Sequence, residues 1–101
     1  MSDRSSATST LLIENERVRV TEWRFAPDAA TGWHTHEYDY VIVPMTSGTL
    51  RLENPDGPVE AELEVGVPYF REAGVEHDVI NASGVEFSFI ETELKEPAPS
   101  N

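Results

Sequence analysis

The sequence predicts an all-β fold, an antiparallel sandwich or barrel, and three observations predict it. Turn signals recur at short intervals: Ala26-Pro27-Asp28, Ser47-Gly48, Asn54-Pro55-Asp56-Gly57, Glu72-Ala73-Gly74 and Ser83-Gly84. The segments between them alternate apolar and polar residues, as strands with one buried face do. No segment sustains a helical repeat; the best candidate, Ala61 to Val65, runs into Gly66 and Pro68 within two turns. About eight short strands at this spacing fit a closed or sandwiched β architecture.

Residues 1–10 are polar and read as a disordered lead-in, residues 11–95 as one domain, and residues 96–101 as a flexible tail. Within the domain, "LLIENERVRV" opens the strand pattern. From Arg17 to Ala26 the pattern changes phase, with Val18 and Val20 on one face and Trp23 and Phe25 on the other. A bulge near Thr21-Glu22 would account for this, and so would a strand buried on both faces. "TLRLEN" and "VEAELEV" flank a Pro-Asp-Gly turn and read as a hairpin. Near the C-terminus, "VEFSFIETEL" places Val85, Phe87 and Phe89 on one face.

Composition narrows the function. A chain of 101 residues supports one core. It has no cysteine, so disulfides and thiolate chemistry are excluded, and any metal must use His, carboxylate, phenolate, backbone oxygen or water. Nineteen acidic against seven basic residues give a formal net charge of -12, which repels a phosphate backbone and argues against a nucleic-acid partner. The polar start lacks the apolar core of a signal peptide, and runs such as Val41-Ile42-Val43 are too short to span a membrane. The expectation is a soluble cytoplasmic protein. Asn81-Ala82-Ser83 fits a glycosylation sequon but reads as a turn.

The chain has three histidines: His34, His36 and His77. On a strand His34 and His36 point the same way, roughly 6.5–7 Å apart at Cα, and their imidazoles can converge on one ion. Taken alone, the pair could equally face solvent. Its surroundings add to it: Gly32 precedes the pair, Gly48 follows, and Gly66, Gly74, His77 and Asn81 recur at fixed spacing downstream. In these residues, from Gly32 to Asn81, the sequence resembles the two motifs of the cupin superfamily. The wording "RVRVTEWRFAP…GWHTHEYDYVIVP…GVPYFREAGVEHDVIN" also resembles the small cupins associated with β-alanine degradation.

The resemblance implies a cupin-type double-stranded β-helix, or jelly-roll barrel. It also implies a divalent metal ion held by His34, His36 and His77, with Fe(II) favoured and Ni, Zn, Mn or Cu as alternatives. The implied activity is an oxygenase, or an isomerase or lyase, acting on a small organic acid; the alternative is a non-catalytic sensor or carrier of a metabolite or metal. Two departures from the motifs stand out. Tyr40 and Val41 occupy the place of the usual glutamate, and Glu72 that of the usual proline. Three neutral imidazoles leave the ion its full charge and open positions.

Tyr40, four residues after His36, falls on the inward face with Tyr38. With an ordinary pKa near 10 it is a weak ligand and a better hydrogen-bond donor or acid, so it is the candidate catalytic residue; a core tyrosine is the alternative. Glu37 and Asp39 alternate outward. Trp23, Phe25, Tyr38, Tyr69 and Arg71 are candidate substrate contacts, with Arg71 available to clamp a carboxylate or simply exposed. Glu72 and Asn81 are candidates to support the metal ligands from behind. Trp33 faces away from the site. Open sheet edges favour a homodimer, with the N-terminal strand contributing.

Overall fold

The computed structural model describes residues 5–95. They form nine strands: β1 (Thr8–Glu14), β2 (Val18–Phe25), β3 (His34–Thr35), β4 (Asp39–Pro44), β5 (Gly48–Asn54), β6 (Gly57–Leu63), β7 (Tyr69–Arg71), β8 (Glu76–Asn81) and β9 (Phe87–Leu94). Five pack in the order β1-β2-β9-β4-β7 and four in the order β3-β8-β5-β6, every pairing antiparallel. Apart from the β1-β2 and β5-β6 pairs, consecutive strands thus cross between the sheets, as in a jelly roll. The expected tail at 96–101 and residues 1–4 lie outside the described residues. Thr8 to Thr10, expected in the lead-in, instead belong to β1, paired with Arg24 to Glu22.

The expected hairpin forms as β5 and β6, with Asn54 opposite Gly57 and Pro55-Asp56 as its two-residue loop. The phase change expected in β2 does not occur. β2 pairs with β9 through eight unbroken positions, from Val18↔Leu94 to Phe25↔Phe87. The irregularity lies across the ladder, between Leu11 and Ile13 of β1. Trp23 continues the face that begins with Arg19 and Thr21, and all three line the central cavity. The polar start of that face is what imitates a phase shift in the sequence.

The inward faces of β2 and β9 grade from apolar to polar along the strand. In β2 the sequence runs from fully buried Phe25 through Trp23 and Thr21 to Arg19. Its β9 partners are Phe87, Phe89, Glu91 and Glu93 in the same order. Because the strands are antiparallel and in register, the apolar ends meet and the polar ends meet. Phe25, Phe87, Phe89, Ile42, Leu50 and Val79 join the core that plugs one end. Phe25 meets Phe87 edge to face and Phe89 at a tilt, at ring-centroid distances of 6.5 and 5.5 Å. The other end stays open as a cavity of about 460 Å³.

Two features close the plugged end. Asn81 is fully buried; its amide donates to the carbonyls of Phe25, Ala26 and Val85, and its Oδ1 accepts from Ser83 N–H and Oγ–H. Gly48 starts β5 where a Cβ would lie 2.9 Å from the Phe87 ring and 3.0 Å from Ser83 Cβ, so only glycine fits there.

Candidate metal centre

β3 and β8 are neighbours, and their register sets His34 directly opposite His77. Cross-strand partners bring their Cβ atoms to about 5 Å, so two rings on one face meet. His36 follows where β3 ends, yet the chain stays tied to the turn before β8: His36 N–H donates to Val75 O and Gly74 N–H to His36 O, both at 2.9 Å. All three imidazoles therefore point into the open end of the barrel.

Their Nε2 atoms converge. His34 Nε2 lies 3.0 Å from His36 Nε2, which lies 3.2 Å from His77 Nε2. Nitrogen ligands about 2.1 Å from one ion and about a right angle apart are separated by about 3 Å. The His34 ring is oriented by Gly32, whose carbonyl sits 2.8 Å from Nδ1. A carbonyl only accepts, so Nδ1 carries the proton and Nε2 presents a lone pair to the cluster. Gly32 adopts φ +91°, which aims that carbonyl and which side chains with a Cβ rarely tolerate.

Burial keeps the other two rings neutral. His36 is pushed down to about 4 by desolvation and then by His34. His77 is pushed down to about 3 by desolvation and then by His34, His36 and Arg71. Neutral imidazoles are the metal-binding form. Three converging Nε2 atoms cannot be satisfied by one another, since two contacts share a single central nitrogen; one cation satisfies all three. The donor set fits a divalent ion.

Tyr40 is 2 % exposed and lies flat against His36, with ring centroids 3.9 Å apart and planes 17° apart. It lines the cavity wall, and its hydroxyl has no hydrogen-bond partner among the described residues. Burial raises its pKa, with Tyr69 and Glu91 adding to the effect, so it remains a protonated donor at neutral pH. Residues 36–38 are not in a strand, so Tyr40 reaches the inner face across an interruption rather than along the continuous strand expected from the sequence.

The structure brings Trp23 and Tyr69 to the cavity as expected, and the Trp23 Nε1–H is buried without an acceptor. It does not bring Phe25, Tyr38 or Arg71 there. Phe25 belongs to the apolar plug. Tyr38 is half-buried beside Arg19, whose guanidinium lies 6.0 Å from its ring. Arg71 is exposed and lies 5.2 Å from the Tyr69 ring. Nor do the two residues expected behind the histidines serve there: Glu72 is exposed on a turn without a hydrogen bond to His77 among the described residues, and Asn81 clamps the plugged end. Glu37 is exposed, and Asp39 accepts from Ala73 N–H at 2.8 Å, tying β4 to the turn after β7.

Two carboxylates outside the sequence motifs also reach the site. Glu91 and Glu93 of β9 line the same cavity, and each offers an oxygen within 4.8 Å of the other and of a His36 ring nitrogen. The signal was present: the period that puts Phe87 and Phe89 inward continues to 91 and 93. Glu93 is paired with Arg19 at 3.2 Å. Glu91 is 8 % exposed, and its pKa is pushed up to about 7 by burial and then by Glu93, against the pull of Arg19.

Comparison with known proteins agrees with this geometry. The family model described as "Cupin domain" matches residues 21–93. The chain is 58 % identical over 95 residues to the beta-alanine degradation protein BauB of Pseudomonas aeruginosa, covering 94 % of this chain and all of that one. It superposes on the crystal structure of a cupin domain from Bordetella pertussis with TM-score 0.93 and 55 % identity, over 95 % of this chain and all of that one. The polyketide cyclase RemF of Streptomyces resistomycificus shares the fold at TM-score 0.72 and 24 % identity, over 97 % of this chain and 73 % of that one. With a jelly-roll barrel, converging histidines at its open end and a cupin match across most of its length, the chain belongs to the cupin family.

Proposed function

We propose that this protein is a small metal-dependent cupin enzyme that acts on a small organic acid at a three-histidine centre. The observation that carries the reading is the convergence of three imidazole Nε2 atoms, at 3.0 and 3.2 Å, on a cavity large enough for a small metabolite. His34, His36 and His77 would hold the ion, which supplies Lewis acidity and, if it is Fe(II), access to oxygen chemistry. The likeness to a protein named for β-alanine degradation supports a small carboxylate as the substrate class.

The remaining roles fall to the chain itself. Tyr40, kept protonated by burial, donates a hydrogen bond or a proton to a ligand group beside His36. Trp23 and Tyr69 wall the cavity. The exposed β1 edge, with Leu12 and Ile13 about half exposed, supports a homodimer built on that strand.

Metal analysis of untagged protein tests the core of this reading. About one ion per chain is expected, and none in His36→Ala. Oxygen uptake with Fe(II) and a panel of small carboxylates then tests the oxygenase form. A silent panel combined with ligand-induced thermal stabilisation would place the protein among metabolite binders instead.

A further inference from the structure

The cavity holds one carboxyl side chain that no other group among the described residues answers. Glu91 is 8 % exposed and faces the cavity, and no hydrogen bond or ion pair engages its carboxylate among the described residues. The cation on that wall, Arg19, is already engaged by Glu14 and Glu93, both at 3.2 Å. A buried carboxylate without a partner is unfavourable by several kcal/mol in general, and either a proton or a cationic group brought by a ligand relieves that cost. The neighbouring Glu93 carboxylate makes the local potential more negative and favours a cationic group.

The histidine cluster and Glu91 are adjacent, since a Glu91 oxygen lies within 4.8 Å of a His36 ring nitrogen. A short ligand can therefore reach both. We propose that Glu91 is the recognition residue for the ammonium group of a small aminocarboxylate, whose carboxylate lies at the histidine end of the same cavity. This rests on the reading that the histidines hold a cation, and it narrows the substrate from an organic acid to one carrying an amino group. The volume of about 460 Å³ admits such a molecule with room for water. Glu93, held by Arg19, strengthens the field without needing to touch the ligand.

The test compares acids with their amino counterparts. Protein loaded with one equivalent of divalent metal, its content measured, is titrated calorimetrically at pH 8 with glycine, β-alanine and 4-aminobutyrate. Acetate, propionate and butyrate serve as the deaminated partners at equal ionic strength. At least one aminocarboxylate should bind ten- to a hundredfold more tightly than its partner, as a hydrogen-bonded charge pair allows. Glu91→Gln should abolish that preference while leaving the acid affinities and the metal content unchanged.

The proposal is overturned if acids bind as tightly as their amino partners, if no aminocarboxylate binds, or if the preference survives Glu91→Gln. It is also overturned if wild type takes a second equivalent of metal that Glu91→Gln loses, since Glu91 would then be a ligand to an ion. Failure of the metal reading shows separately, as wild-type protein that binds no ion or as a His36→Ala variant with undiminished metal content.

Discussion

Tyr40 lies face to face with His36, 3.9 Å between ring centroids, and so fixes the plane of a candidate metal ligand while occupying the place of the family glutamate. Its ring and its hydroxyl do different work. The ring packs in the core and braces the imidazole; the hydroxyl has no hydrogen-bond partner among the described residues and opens on the cavity. Tyr40→Phe should keep the stack, leave unfolding free energy within about 0.5 kcal/mol of wild type and retain the metal, because no hydrogen bond among the described residues is lost. Ligand affinity or turnover should fall. Tyr40→Ala should cost about 3–5 kcal/mol by cavity formation. Metal analysis and denaturant unfolding of both variants check this, and loss of metal from Tyr40→Phe would make the phenol a ligand.

The converging histidines link metal and stability. A ligand that binds only the folded state at a free concentration of about 100 times its Kd stabilises by about 2.7 kcal/mol. For a chain of this size that is a rise of about 10–20 °C in Tm. Chelation of the loaded protein should remove such an increment and re-addition should restore it. In His36→Ala, by contrast, Tm should not respond to metal. An unchanged response in that variant would remove His36 from the site.

How far the site was legible in the sequence depended on whether its determinants were local. The His34–His36 pair and the Asn54-Pro55-Asp56-Gly57 turn are set by neighbours in the chain, and the spacing to His77 followed a known motif, so all were readable. Glu91 was not singled out, because its significance comes from antiparallel register: Thr21 and Ile42 sit opposite it on either side and turn it into the cavity. The polar face of β2 imitates a phase change for the same reason, since Arg19 and Thr21 make sense only opposite Glu93 and Glu91. Arg71 and Tyr69 share a sequence period, yet an exposed strand end leaves the arginine in solvent over the ring. Asn81 occupied a motif position, but four residues beyond His77 on β8 it reaches the plugged end of the barrel.

That placement gives Asn81 a structural role with a clear signature. Five hydrogen bonds tie it to backbone carbonyls and to Ser83. Asn81→Ala leaves buried carbonyls unpaired and should destabilise by about 3 kcal/mol. The folded fraction should still bind metal with unaltered affinity. A shift in denaturant midpoint with constant metal stoichiometry per folded chain checks this; weakened metal binding in a fully folded sample would return Asn81 to the metal centre.

Glu91 predicts a pH dependence of opposite sign to that of the histidines. Its pKa rises from the usual 4.5 to about 7 on folding, so the native state holds the proton more tightly than the unfolded chain. The relative stability this confers is complete below pH 4.5 and is lost as pH climbs through 7. His36 and His77, lowered from 6.5 to about 4 and about 3, stabilise the metal-free fold above pH 6.5 and lose that contribution as pH falls. Wild type carries both effects, and Glu91→Gln carries only the second. In metal-free, ligand-free protein Glu91→Gln should therefore be more stable than wild type at pH 8, by an amount on the order of 3 kcal/mol at most. The gap should close between pH 7 and pH 4.5. Denaturant unfolding at half-unit pH intervals measures that difference directly, and a gap that is constant with pH would show that Glu91 titrates normally and is solvated in the folded protein.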